Sequence, residues 1–102
     1  MTPKQKQLDK LVNNKSKKVR MRILDSQEVH PSTLAKLADD ITDIRYEVAR
    51  NPKTPPEALE KLANDSWSAI RAEALKNPNM STDFLNEFAS QNHHHYYLSA
   101  VA

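Results

Sequence analysis

The segment from Asn51 to Asn77, NPKTPPEALEKLANDSWSAIRAEALKN, recurs along the chain in imperfect copies. Moved on by 26 residues, Asn51-Pro52 falls on Asn77-Pro78, Leu59 on Leu85, Leu62 on Phe88 and Ala63 on Ala89. Moved back by 25, Leu59, Leu62, Ala63 and Asp65 fall on Leu34, Leu37, Ala38 and Asp40. Moved back by 26, Ile70-Arg71 falls on Ile44-Arg45 and Glu73 on Glu47. A period of this length gives each repeat one supersecondary unit, whose apolar face is covered only by its neighbours. The 102 residues hold about four such units in a single domain. The expected boundaries are 1–26, 27–51, 52–77 and 78–102.

Within each unit the apolar spacing is helical. Thr2 reads as an N-cap with Pro3 at the first helical position, followed by Leu8, Leu11 and Val12 on one face. A second helix from Ser16 turns Val19, Ile23 and Leu24 inward and Lys17, Lys18, Arg20 and Arg22 mostly outward. Pro31 opens the next unit with Leu34, Leu37 and Ala38, and Thr42 or Asp43 is expected to cap a helix carrying Ile44, Val48 and Ala49. Thr54, Pro55 and Glu57 read as a capping box ahead of Leu59, Leu62 and Ala63, with Ile70, Ala74 and Leu75 on the return helix. Ser81 is the expected cap for Leu85, Phe88 and Ala89, after which Tyr96, Ala100 and Val101 take the return positions. Proline after Asn51 and Asn77 stops the preceding helices. There is no glycine, so asparagines 13, 14, 51, 64 and 77 are expected to take the left-handed C-cap conformation. No alternating strand pattern occurs. The expected fold is all-α, an α-solenoid of about four helical hairpins of 25–26 residues, with second helices short or partly 3₁₀.

The pattern N-P-x-T-P-x-x-x-L-x-x-L-A-x-D followed by I-R-x-E-A, over residues 51–74, resembles the leucine-rich repeat variant family. The stretch from Asp65 to Ile70-Arg71 is also similar to the aspartate and Val/Ile-Arg signature of HEAT repeats. The likeness is good over residues 28–89, fair over 8–27 and poor after 91. It implies a right-handed superhelix of stacked helical pairs and no activity of its own. Relatives that carry an iron–sulfur module need cysteines, and this chain has none, so that role does not transfer and no cofactor is expected. The first unit lacks Asn-Pro, which fits an N-terminal cap.

A mean hydropathy of -0.76 leaves no room for a membrane span. No secretory leader pattern is visible, and the absence of cysteine fits a reducing cytoplasm. Residues 1–22 hold eight of the 15 basic side chains against one acid, Asp9, while the remaining eighty carry seven bases and twelve acids. One end of the molecule is therefore basic.

Lys15, Lys17, Lys18, Arg20 and Arg22 form the candidate binding patch. They would track phosphates, meet an acidic protein surface, or keep a terminal repeat soluble. No aromatic residue lies among residues 1–45, so base stacking is unavailable there and nucleic-acid binding would be electrostatic. Trp67 reads either as packing over the next repeat or as an exposed binding anchor, and a thin core favours packing. Arg45 and Arg71 stand in equivalent places and are expected to pair with Asp43 or Asp40 and with Asp65, fixing one repeat on the next. The carboxylates are spread one per turn rather than converging, which argues against a hydrolase. His93, His94 and His95 are sequence neighbours that cannot all face one ion from a helix, and His30 reads as a turn residue. The C-terminal YYLSAVA would leave an apolar end open to a second copy of the chain. The reading is a non-enzymatic protein-interaction or scaffold module; the alternative is nonspecific nucleic-acid binding through the basic first repeat.

Overall fold

A computed structural model describes residues 1–91. Among them are seven α-helices and no strand: α1 (Pro3–Lys10), α2 (Lys17–Ile23), α3 (Pro31–Leu37), α4 (Thr42–Arg50), α5 (Pro56–Leu62), α6 (Ser68–Leu75) and α7 (Thr82–Ser90). A 3₁₀ turn, Leu11–Asn13, extends α1. The second helices α2, α4 and α6 are short and wholly α-helical, so the 3₁₀ element follows a first helix and not a second one. His93, His94, His95, Tyr96, Ala100 and Val101, and with them the expected metal ambiguity and the apolar dimer end, lie outside the described residues.

The helices form two layers. In one, the 3₁₀ turn packs on α3 and α3 on α5; in the other, α4 packs on α6. Hairpin contacts between α3 and α4 and between α5 and α6 close the layers on each other. Leu34, Leu37, Ile44, Val48, Leu59, Leu62, Ile70, Ala74 and Leu75 are fully buried between them. Each large apolar side chain so buried contributes roughly 1.5–3 kcal/mol, which offsets the ordering of a chain with so few aromatics. The first pair is thinner, with Leu8 and Ile23 buried and Leu11, Val12, Met21 and Leu24 only partly covered.

The caps explain where the helices begin. Thr2 forms a reciprocal capping box with Gln5, and the Ser16 and Ser81 hydroxyls accept from the N–H groups of Val19 and Phe84. His30 caps α3, its Nδ1 accepting from the Ser32 N–H at 3.1 Å. Two expected caps are not used. Helix α4 begins after Ile41, so neither Thr42 nor Asp43 is the cap, and α5 begins after Pro55. Thr54 is instead fully buried, its hydroxyl donating to the Val48 carbonyl at 2.6 Å, and the capping box with Glu57 does not form. With Pro55 extended at ψ 153°, the helix starts one residue later and Thr54 turns inward toward the preceding return helix.

Asparagine also works differently from expectation. Asn14 and Asn51 have φ of -64° and -73°, both outside the left-handed region. Their side chains accept from the N–H two residues on, Asn14 from Ser16 and Asn51 from Lys53, each at 2.9 Å, and Asn77 does the same with Asn79. The Asn77 amide then donates to the carbonyls of Ala49 and Asn51 at 2.8 and 2.9 Å, while Asn79 donates to Thr54 at 2.7 Å. Lys53 likewise donates to the Gln27 carbonyl. These bonds join one repeat to the next and satisfy carbonyls left over where a helix has just ended.

Candidate functional site

Helix periodicity decides which side chains of the second layer face outward. Ile44 and Val48 on α4 point into the core, so Tyr46 and Arg50 stand on the opposite side of the same helix. From α2 and the residue after it come Lys17, Met21 and Leu24, and from α6 and the residue before it come Trp67 and Ala69. Together with Asp43 and Glu47 these side chains line a groove of about 780 Å³ that crosses the second helices. Met21, Leu24, Tyr46 and Ile70 give it apolar lining, and Lys17, Asp25, Asp43, Glu47 and Arg50 give it charged lining. Arg50 lies 5.6 Å over the Tyr46 ring, a cation–π contact, and is 3.6 Å from Glu47 and 3.7 Å from Glu73. Trp67 is among the lining residues and is 57% exposed, which corrects its reading as a packing residue.

The five basic residues singled out in the sequence do not form one row. Arg20 is only 15% exposed: its Nε and Nη2 donate to the two oxygens of Asp40 at 2.8 and 3.2 Å, and its Nη1 donates to the Asn14 carbonyl at 2.7 Å. Lys17 bridges to Asp43 at 2.6 Å across the groove edge. Lys15, Lys18 and Arg22 are exposed, with no ion pair or hydrogen bond from their side chains among the described residues. Lys18 and Arg22, four residues apart, share one face of α2.

The Arg20–Asp40 arrangement recurs one repeat on. Arg45 Nε and Nη2 donate to Asp65 at 2.8 and 3.3 Å, and its Nη1 donates to the Asp40 carbonyl at 2.8 Å. Arg45 thus takes the carboxylate of the following repeat, twenty residues away, in place of Asp43 or the Asp40 carboxylate. Arg71 continues the pattern through its Nη1, which donates to the Asp65 backbone carbonyl at 2.8 Å. Burial works to raise the pKa of Asp65, but hydrogen bonds from Arg45 and from the Trp67 N–H outweigh it and hold the carboxyl below its ordinary value. Asp9 is also lowered, by hydrogen bonds from Lys36 and Thr33, and so ties α1 to α3. No cluster of histidine, aspartate and glutamate with metal-binding geometry exists among the described residues. None of their helices is long and apolar enough to cross a membrane.

The leucine rich repeat variant family model matches residues 42–66. That match supports the resemblance read from the repeat pattern. No curated protein and no solved structure matches the chain. The matched segment spans α4 and α5 and contains the groove residues Asp43, Tyr46, Glu47 and Arg50. It ends one residue short of Trp67.

Sequence reasoning missed Met21, Tyr46, Arg50 and Ile41. Tyr46 and Arg50 were accessible to it: they are four apart and lie opposite the Ile44–Val48 face. Ile41, 45% exposed, lies 26 residues before Trp67, but the two differ in residue type and escape a search for repeated letters.

Proposed function

We propose that the chain is a non-enzymatic protein-binding module whose groove takes a peptide segment of a partner protein, in the cytoplasm. The observation that carries this reading is the groove itself, lined by both apolar and charged side chains and by the single tryptophan of the chain, which is exposed. A buried apolar patch inside a polar rim is the usual anatomy of a protein interface, and tryptophan, tyrosine and arginine dominate binding energy at such sites. The leucine rich repeat variant match over residues 42–66 supports a repeat-built interaction surface. Nucleic-acid binding is less well supported, because two of the five candidate cations, Lys17 and Arg20, are paired with carboxylates.

Trp67 gives the test its own probe, being the one tryptophan present. Random peptides displayed on phage are panned against the full chain, and selected sequences are synthesised and titrated while indole emission is followed. Saturable binding with a blue shift of Trp67 emission is expected, reduced by Tyr46→Ala. Failure to select any binder, or binding that leaves the emission unchanged, would contradict the groove reading. A parallel titration with a short DNA duplex separates the two readings: no binding is expected at about 0.15 M salt, and an affinity that falls steeply with salt would favour the basic end instead.

A further inference from the structure

The first repeat carries cations that nothing else in the stack neutralises. Its one acid before Asp25 is Asp9, which accepts from Lys36 and Thr33 of α3. Asp43 and Asp40 of the second repeat take Lys17 and Arg20. Lys4, Lys6, Lys10, Lys15, Lys18 and Arg22 remain exposed, and among the described residues their side chains have no ion pair or hydrogen bond. Lys6 and Lys10 stand four apart on α1, away from buried Leu8, and Lys18 and Arg22 four apart on α2, away from buried Ile23. Like charges at that spacing repel along a helix. Lys4, Lys17 and Lys18 also lie in first turns, where the helix dipole favours acids, and neither first turn holds one. Solubility is served as well by mixed signs, so neither local stability nor solubility accounts for this one-sided choice.

Helix α2 brings this charge to the side of the groove, which Lys17, Met21 and Leu24 line. Lys18 follows Lys17 and Arg22 follows Met21, and each residue turns about 100° round a helix, so the unpaired cations face outward beside the groove-lining side chains. Against Asp25, which lines the groove on the same side, stand Lys15, Lys18 and Arg22. The side chains here suit carboxylates. No aromatic residue among residues 1–45 can stack on a base, and Arg22 is the one unpaired guanidinium of this repeat able to grip a phosphate with two bonds. Met1 is the one exposed large hydrophobic of the repeat, too little to insert into a lipid surface. A peptide carboxylate asks only for the point charge that lysine provides.

We infer that the first repeat takes an acidic stretch of the same partner segment whose apolar side chains enter the groove: a peptide with a block of aspartate and glutamate beside an apolar block. This rests on the protein-binding reading above and specifies its partner. The carboxylates meet Lys18 and Arg22, where α2 adjoins the groove, while Lys15, Lys4, Lys6 and Lys10 extend the field that draws them in. Exposed charge of this kind acts chiefly on the rate and orientation of encounter, and the groove holds the apolar block.

The test pans random peptides about sixteen residues long, room for two such blocks in extended form, against the full chain. Enrichment of aspartate and glutamate next to an apolar block is expected. For the synthesised peptides, association followed by Trp67 emission is expected to slow about tenfold when Lys18→Glu and Arg22→Glu are combined. In the parent chain it is expected to slow as salt rises from about 0.05 to 0.5 M. The dissociation rate and the emission shift at saturation are expected to match the parent, and so is the melting midpoint, since both side chains are exposed. Lys61→Glu, a charge reversal on α5 in the other layer, is expected to leave association within about twofold, because salt screens distant charges. Equal slowing in Lys61→Glu would trace the effect to net charge and overturn the inference. Enriched peptides without acidic residues, or association unchanged in the double variant, would overturn it and leave the groove reading standing. Acidic peptides that bind without altering Trp67 emission would remove the groove and break the link between the two surfaces. Displacement of the acidic peptides by a short DNA duplex at about 0.15 M salt would assign the cations to phosphates and overturn the inference. Absence of any enriched peptide would remove both readings.

Discussion

The seam through Arg20, Arg45, Asp40 and Asp65 and the edge carrying Ile41 and Trp67 follow the same repeat period and use it in opposite ways. Along the seam, each guanidinium is held by the carboxylate of the next repeat and by a backbone carbonyl at the start of its own helix. The local and the inter-repeat structure are satisfied together, at low exposure. Along the edge, residues at equivalent positions provide no cap and lie in solvent. Where the period serves cohesion, side chains are chosen for partners within the chain. At the edge they are not, and that difference separates surface that holds the stack together from surface available to something else.

Substitutions on the cohesive side are expected to have the largest effects. Leu62→Ala, at a fully buried position behind the seam, should cost about 2–5 kcal/mol and leave little folded protein. A cooperative melt with an unchanged midpoint would break the account of the core. Asp65→Asn should cost about 1.5–3 kcal/mol by removing charged acceptors from Arg45. Because the folded pKa of Asp65 is depressed, its contribution is present above the ordinary carboxylate value and is lost as pH falls through the folded value. Urea midpoints followed from pH 6 down to about pH 2 should therefore decline less steeply in Asp65→Asn than in the parent chain. An equal decline in both would show that Arg45 gives the carboxylate no advantage.

Asn77→Ala should cost about 1–3 kcal/mol, since the Ala49 and Asn51 carbonyls lose a donor where little water reaches them. The edge is expected to respond in the opposite direction. Ile41→Ser should leave stability unchanged or raise it by up to about 1 kcal/mol, measured by chemical denaturation. A loss as large as that of Asn77→Ala would erase the distinction between seam and edge. The smallest effect belongs to Lys17→Ala, under about 1 kcal/mol, because its bridge to Asp43 is solvent-exposed.

Much of the core could be read from the period alone. Leu34 and Leu59, Leu37 and Leu62, and Ile44 and Ile70 repeat at 25–26 residues and are all buried, because a residue type that recurs at one place in a stack meets the same neighbours each time. Features that depend on a second repeat were harder. Thr54 looked like a cap since its neighbours Pro55 and Glu57 fit one, but its hydroxyl finds the Val48 carbonyl on another helix. Arg45 lies beside Asp43 in sequence, yet its partner comes from the next unit. The twenty-residue offset of Arg20–Asp40 and Arg45–Asp65 was present in the sequence, but an offset unequal to the period does not appear when the chain is laid over itself. The basic patch was misjudged for a related reason: charge counted along the chain ignored acids that the stack brings to Lys17 and Arg20. The groove arises from side chains on three helices and has no signature in any one of them.

Acrylamide quenching of Trp67, in the free chain and in complex with a selected peptide, tests the central claim most directly. The account predicts emission near that of a solvated indole and strong quenching in the free chain, with a blue shift and marked protection on binding. A blue, weakly quenched signal in the free chain would place the indole in the core. Unaltered quenching in the complex would place the partner elsewhere, and either result would contradict an exposed Trp67 that serves binding.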